Sequence, residues 1–302
     1  MPIDWTGVIP AATTEFRADG SLALDATARH LETMIASGIR GAVMLGTMGE
    51  NTTLSHEEKL AVIGAALEAS RGRIPVLAGV AEYTTALACR FAQDAERAGV
   101  DGLMVLPAMV YKSDARETMT HFRAVARSTG LPILCYNNPP VYGVDLTPDL
   151  FAAMADEPNL AAIKESSEDV RRLTDLKNLV GDRYALLQGV DDLALEGALM
   201  GARGWISGLA NAFPLESVRL WDLAMAARVE EALPLYRWFM PLLHMDTSPK
   251  LVQYIKLASS LTGTGAEHVR APRLPLEGEE RQRVLSIVEK ALATRPVLAA
   301  VS

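Results

Sequence analysis

The chain has 302 residues, 49% hydrophobic and 22% charged, with a net charge of −8 at pH 7. That size and balance suit a folded chain with a large core, and α/β barrels commonly reach this length as one domain. Acidic and basic residues are interspersed without a Lys/Arg-rich run, so neither nucleic acid nor an anionic membrane is expected as a partner. The start Met1-Pro2-Ile3-Asp4-Trp5 lacks a basic stretch followed by an apolar one, and no apolar run reaches the roughly 20 residues a bilayer needs. A cytoplasmic protein is expected. Cys89 and Cys135 lie in apolar contexts without metal or redox spacing and read as small buried hydrophobes.

Short, almost continuously apolar runs recur along the first two thirds of the chain. They begin Gly7–Ala11, Gly41–Leu45, Pro75–Val80 and Gly102–Leu106, and continue Pro132–Tyr136, Leu160–Lys164, Ala185–Gly189 and Gly204–Gly208. Such runs are what parallel strands covered on both faces require. Between them, apolar stripes at three- and four-residue spacing predict helices over 23–37, 55–70, 86–98, 115–128 and 147–155. The second of these opens with Ser55-x-x-Glu58, a capping-box signature. Eight strands alternating with helices predict a (β/α)8 TIM barrel. A doubly wound open sheet is the rival, but no Gly-x-Gly-x-x-Gly follows any run.

After residue 214 the strand signals stop. Helical patterns cover 215–227, 229–243, 249–261 and 278–293, the first serving as the eighth barrel helix. The expected division is therefore a barrel carrying the active site over 1–228 and a C-terminal helical extension over 229–302. The stretch 270–275 contains Pro272 and Pro275 and should be irregular, and the tail 295–302 should fray.

In a barrel, functional groups gather at the C-terminal ends of the strands. Lys164 closes the run Leu160-Ala161-Ala162-Ile163. A lysine there is costly to keep charged, because burial disfavours the ammonium form. It is either paired with a buried carboxylate or used as a free amine that attacks a carbonyl. Among the seven lysines only Lys164 has a strand-end position; Lys59, Lys112, Lys177 and Lys290 read as solvated, and Lys250 and Lys256 as snorkelling or paired. Tyr136 closes the fifth run and should sit beside Lys164, either as a proton-transfer group or as a packing aromatic. Gly46-Thr47-Met48-Gly49 follows the second run and reads as an anion-binding turn or a plain βα turn. Five scattered histidines show no ligand spacing, His244 reading as a surface or capping residue, and no metal site is expected.

The segments Gly46-Thr47-Met48-Gly49-Glu50, Tyr136-Asn137-Asn138-Pro139 and Ile163-Lys164-Glu165-Ser166-Ser167, on the second, fifth and sixth runs, resemble the dihydrodipicolinate synthase / N-acetylneuraminate lyase family of Schiff-base-forming lyases. The likeness extends through Gly189-Val190-Asp191-Asp192, Gly204 to Asn211 and Arg273-Leu274-Pro275-Leu276. It implies a homotetrameric barrel needing no metal or organic cofactor. It also implies that Lys164 forms an imine with the substrate's 2-oxo carbon, that Tyr136 moves protons there, and that Thr47 with the N–H groups of Thr47 and Met48 holds the substrate carboxylate. On the strength of the same resemblance, Gly204 and Ile206 on the eighth run are further candidate substrate contacts.

Two departures bear on the substrate. The synthases carry a second threonine where this chain has Met48, and an arginine gripping a second carboxylate where it has Val141, which is not a conservative change. The stretches 244–247, 250–256 and 270–275 look most like bacterial 1-pyrroline-4-hydroxy-2-carboxylate deaminases. The expected activity is therefore dehydration and deamination of that cyclic imino acid to 2,5-dioxopentanoate and ammonia. An aldolase or synthase joining pyruvate, a 2-oxo acid, to an aldehyde is the alternative, and a silent binding protein a remote one. Tyr111 and Tyr142 are left open as contributors to the site.

Overall fold

A computed structural model describes residues 3–298; Met1, Pro2 and 299–302, the end of the tail expected to fray, lie outside the described residues. The first half of the barrel runs β1 (Gly7–Pro10), α1 (Leu24–Ala36), β2 (Ala42–Met44), α2 (His56–Ser70), β3 (Val76–Val80), α3 (Thr85–Ala98), β4 (Gly102–Val105) and α4 (Ala115–Arg127). The second half runs β5 (Ile133–Asn137), α5 (Pro139–Tyr142), α6 (Pro148–Ala153), β6 (Leu160–Glu165), α7 (Arg171–Val180), β7 (Ala185–Gln188), α8 (Ala194–Leu199), β8 (Gly204–Ser207) and α9 (Pro214–Met225). Then follow α10 (Val229–Leu243), α11 (Leu251–Thr262) and α12 (Gly278–Ala293).

Among the described residues the eight strands are parallel; β2 to β7 each pair with the next in chain order, and β8 pairs β1. An Ala11–Val43 bridge, with the Ala12 N–H donating to the Val43 carbonyl at 2.9 Å, joins the first strand to the second and closes the ring. The fold is the expected TIM barrel with C-terminal helices. Strand residues are buried almost throughout, because helices cover the outside and side chains fill the inside. The capping box at α2 is formed: the Glu58 N–H donates to Ser55 Oγ at 3.2 Å, and the Ser55 N–H to Glu58 Oε2 at 2.9 Å. The sequence pattern did not resolve α7 and α8. Both are short, and the polar run Glu165 to Asp169 before α7 hides its apolar stripe.

The C-terminal helices are locked to the β2 side of the barrel. Lys256 on α11 is 0% exposed and donates to Glu50 Oε1 at 2.9 Å and to the carbonyls of Thr14 and His268 at 2.8 and 2.6 Å. Arg270 forks onto both carboxylate oxygens of Glu58 at 2.7 and 2.9 Å, and its N–H donates to Glu50. Residues 270–275 are irregular, as the two prolines require. Lys59 departs from its solvated reading: it is buried, donates to Glu82 at 2.6 Å and lies over the Phe91 ring. The stem of a lysine in the first helical turns reaches back under the neighbouring unit, which spacing alone does not reveal. Among the described residues no helix is long and apolar enough to cross a membrane.

Candidate active site

Parallel pairing of β5 and β6 puts Tyr136 directly opposite Lys164 in register, near the C-terminal ends of both strands. Both line a cavity of about 610 Å³ at that mouth of the barrel. Lys164 is 5% exposed, and its Nζ lies 3.8 Å from the centroid of the Tyr136 ring. Burial pulls the Lys164 amine below its ordinary value, opposed chiefly by the Asp246 carboxylate. Among the described residues no carboxylate lies within ion-pair distance of it. Its neighbour Glu165 turns away, accepting from Asn137 Nδ2 at 3.1 Å and from the Ser167 N–H at 2.7 Å. Of the two readings for this lysine, the geometry fits the unpaired amine.

Gly189, after β7, makes room for that amine. A Cβ there would sit 2.1 Å from Ser166 Oγ and 2.8 Å from Lys164 Cε, so any larger residue would push the lysine aside. Burial lifts the Tyr136 hydroxyl to about 12, although Asn138 Nδ2 donates to it at 3.0 Å. Tyr142, at the end of the short α5, packs edge-on against Tyr136 with centroids 5.6 Å apart. Its hydroxyl is 2.5 Å from Thr47 Oγ1. Burial, then the neighbouring Tyr136, push the Tyr142 hydroxyl up. Thr47, Tyr142 and Tyr136 thus form a continuous line from the β2 turn to Lys164.

Thr47, Met48 and Ile206 line the cavity, as expected. The N–H groups of Thr47 and Met48 meet no acceptor among the described residues, which leaves the turn able to bind an anion. Gly204 is a correction. It opens β8, in register with Gly7 and Leu187, and its missing Cβ points at the carbonyls of Trp5 and Gly7, 2.9 and 3.1 Å away. That is the strand end remote from the cavity, and Gly204 serves close strand packing there. Tyr111 is exposed, donates to Glu117 at 3.0 Å and does not line the cavity.

Asp246 also lines the cavity and had no local signal in the sequence. It belongs to a single turn, His244–Thr247, between α10 and α11. Within that turn His244 is exposed and pairs with Asp192 at 2.8 Å. Val141 is 55% exposed at the cavity rim, so no arginine stands there. Among the described residues no group of three or more His, Cys, Asp or Glu side chains is placed to hold a metal ion.

The arrangement can hold an anion beside a buried amine and supply proton-carrying hydroxyls between them. Comparisons with known proteins point the same way. The chain is 33% identical to the 4-hydroxy-tetrahydrodipicolinate synthase of Methanothrix thermoacetophila over 288 residues, covering 94% of this chain and 96% of that one. It is also 33% identical to that of a Chelativorans species, covering 94% and 98%. Among solved structures, the chloride-inhibited dihydrodipicolinate synthase of Acinetobacter baumannii complexed with pyruvate matches with a TM-score of 0.89 and 29% identity, over 95% of this chain and 99% of that one. The 4-hydroxy-tetrahydrodipicolinate synthase of Methylacidiphilum fumariolicum matches with a TM-score of 0.88 and 31% identity, over 96% and 97%. The pattern of the dihydrodipicolinate synthetase family covers residues 4–291, and with the ordered segments on β2, β5 and β6 it establishes that this chain belongs to that family.

Proposed function

We propose that the protein is a Schiff-base-forming lyase of the aldolase type that acts on a 2-oxo acid through Lys164. The observation that carries this reading is the register pair Tyr136–Lys164, a buried amine facing a cavity with no carboxylate at ion-pair distance among the described residues. The free amine adds to the C2 carbonyl, water departs, and the protonated imine becomes an electron sink for bond changes at C3. Loss of a C3 proton gives an enamine, whose attack on an aldehyde carbon forms the C3–C4 bond; hydrolysis then returns Lys164. The Thr47–Met48 turn would hold the C1 carboxylate, and Tyr136 would carry protons through Tyr142 and Thr47.

The relatives are named as synthases and one structure holds pyruvate, which favours a pyruvate-using synthase over the deaminase as the leading reading, with an aldehyde as the co-substrate that the enamine chemistry calls for. The deaminase remains the second reading because of Val141. A rim with an exposed valine in place of an arginine suits a co-substrate without a second carboxylate. Two assays separate them: consumption of pyruvate with a panel of aldehydes, and ammonia release from 1-pyrroline-4-hydroxy-2-carboxylate. Pyruvate consumption without ammonia is the expected result. Ammonia release without pyruvate consumption would transfer the assignment to the deaminase.

A further inference from the structure

Imine chemistry at C2 accounts for Lys164 and Tyr136, but either reaction also needs a proton moved at a second atom. In the aldol reaction the oxygen on C4 gains a proton as the C3–C4 bond forms and loses it on cleavage. In the dehydration the same C4 oxygen must be protonated to leave as water. Tyr136 stands on β5, on one flank of Lys164; the other flank, towards β7 and β8, has its own titratable group.

That group is Asp246, delivered by the His244–Thr247 turn across the end of β8. A Cβ at Gly208 would fall 2.5 Å from Asp246 Oδ1, so the glycine just after β8 is what gives the carboxylate its place. Asp246 Oδ2 accepts from the Asp191 N–H at 3.4 Å, a long contact, and Oδ1 meets no donor among the described residues. Asp191 itself is fully buried and saturated by Trp205 Nε1 at 2.9 Å and the Leu209 N–H at 2.7 Å. It holds the turn and has no oxygen to spare for a substrate.

Resting on the Schiff-base reading above, we infer that Asp246 is a catalytic residue that exchanges a proton with the oxygen on C4 of the Lys164-bound substrate. In cleavage, the carboxylate takes the C4 hydroxyl proton while the C3–C4 electron pair flows into the imine, leaving an enamine on Lys164 and releasing an aldehyde. In dehydration, the C3 proton leaves first to give the enamine. The protonated acid then donates to the C4 oxygen as the C4–O bond breaks, water departs and a conjugated imine remains. The groups facing Asp246 are Lys164 on β6, Tyr136 on β5, and Asp191 and Asp192 after β7, with His244 paired to Asp192. Burial lifts Asp246 to about 6, against the pull of Lys164, whereas Tyr136 is lifted to about 12. Two proton carriers held this far apart suit two different proton transfers.

The test uses 2-oxobutanoate and 4-hydroxy-2-oxobutanoate, which differ only in the C4 oxygen. Borohydride traps both on Lys164, the hydroxylated acid either as its own adduct or, after C3–C4 cleavage releases formaldehyde, as the pyruvate adduct; intact mass counts the two together and gives the concentration for half-trapping. Wild type is expected to trap the hydroxylated acid at about tenfold lower concentration, as befits a hydrogen bond to a charged group. Asp246→Ala should lose that preference, the two acids then trapping at similar concentrations. Should that variant not fold, Asp246→Asn keeps the volume. The wild-type preference then strengthens as pH rises through about 6, where the carboxylate forms, and is flat in the asparagine variant. A wild type without preference, or a variant that keeps it, overturns the inference and leaves the Schiff-base reading intact. Loss of pyruvate trapping in both variants would make Asp246 a partner of Lys164 and overturn it too. If wild type traps neither acid on Lys164, the Schiff-base reading falls and takes this inference with it.

Discussion

Lys164 and Lys256 are both removed from water, 5% and 0% exposed, yet their surroundings are opposite. Lys256 meets the Glu50 carboxylate and two backbone carbonyls, which use all three donors of its ammonium. Lys164 meets the face of Tyr136 and a cavity, with only the longer-range pull of Asp246 against its desolvation. The first is a charged tie between α11 and the turn after β2, the turn that also carries Thr47 and Met48. The second is an amine whose charge burial disfavours. Partner supply, not burial alone, sets the two lysines apart.

The widest separation should come from replacing each in turn. Lys164→Met should lower turnover by at least ~10^4-fold, as loss of a covalent nucleophile does, without lowering the unfolding midpoint. Parallel kinetics and urea unfolding check this, and a clear loss of stability would mean that Lys164 is a structural partner after all. Lys256→Met should do the reverse. Leaving Glu50 buried and only partly compensated should cost about 3–5 kcal/mol in urea unfolding, with Lys164 still reactive in the folded fraction. Unchanged stability would show that the Arg270 N–H and the Arg273 guanidinium, 3.7 Å from Glu50, suffice for that carboxylate.

Smaller changes sharpen the contrast at Lys164. Tyr136→Phe keeps the ring and removes the hydroxyl, so turnover should fall by ~10^2-fold. Near-normal steady-state rates would reduce Tyr136 to packing. The smallest effect is a pH dependence of stability. Because the folded pKa of Lys164 is depressed, the unfolded chain binds more protons between that lowered value and the ordinary lysine value of about 10.4. Lys164 therefore destabilises the fold in full below its folded pKa, and the penalty fades as pH rises towards the unfolded one. Lys164→Met should accordingly be more stable than wild type near neutrality, with the gap closing at alkaline pH. A gap that widens with pH would contradict the depressed pKa.

Much of this was legible in residue order because barrel geometry is local in sequence. An apolar run ending in a lysine places that lysine at a strand's end, and consecutive runs become neighbours. So Lys164, Tyr136 and Thr47 could be placed from the chain alone. Gly204 misled because the same rule has a direction: only residues late in a strand reach the mouth, and Gly204 comes first in β8. Tyr142 and Asp246 enter the site through tertiary placement, one by the short α5 folding back on Thr47 and the other from the turn between α10 and α11. No periodicity encodes such long-range approaches. Lys59 looks like a solvated helical lysine in sequence and only Glu82, brought in by another element, shows otherwise, whereas Lys256 is paired, one of the two roles read for it, with Glu50 as a partner that spacing could not name.

The central claim is that Lys164, and no other amine, forms an imine with a 2-oxo acid. Borohydride reduction of the wild-type protein with pyruvate, followed by peptide mass mapping, tests it directly. The account predicts one reduced pyruvate per chain on the peptide containing Lys164, and none in Lys164→Met. No adduct on wild type, or an adduct that persists in Lys164→Met, would contradict it.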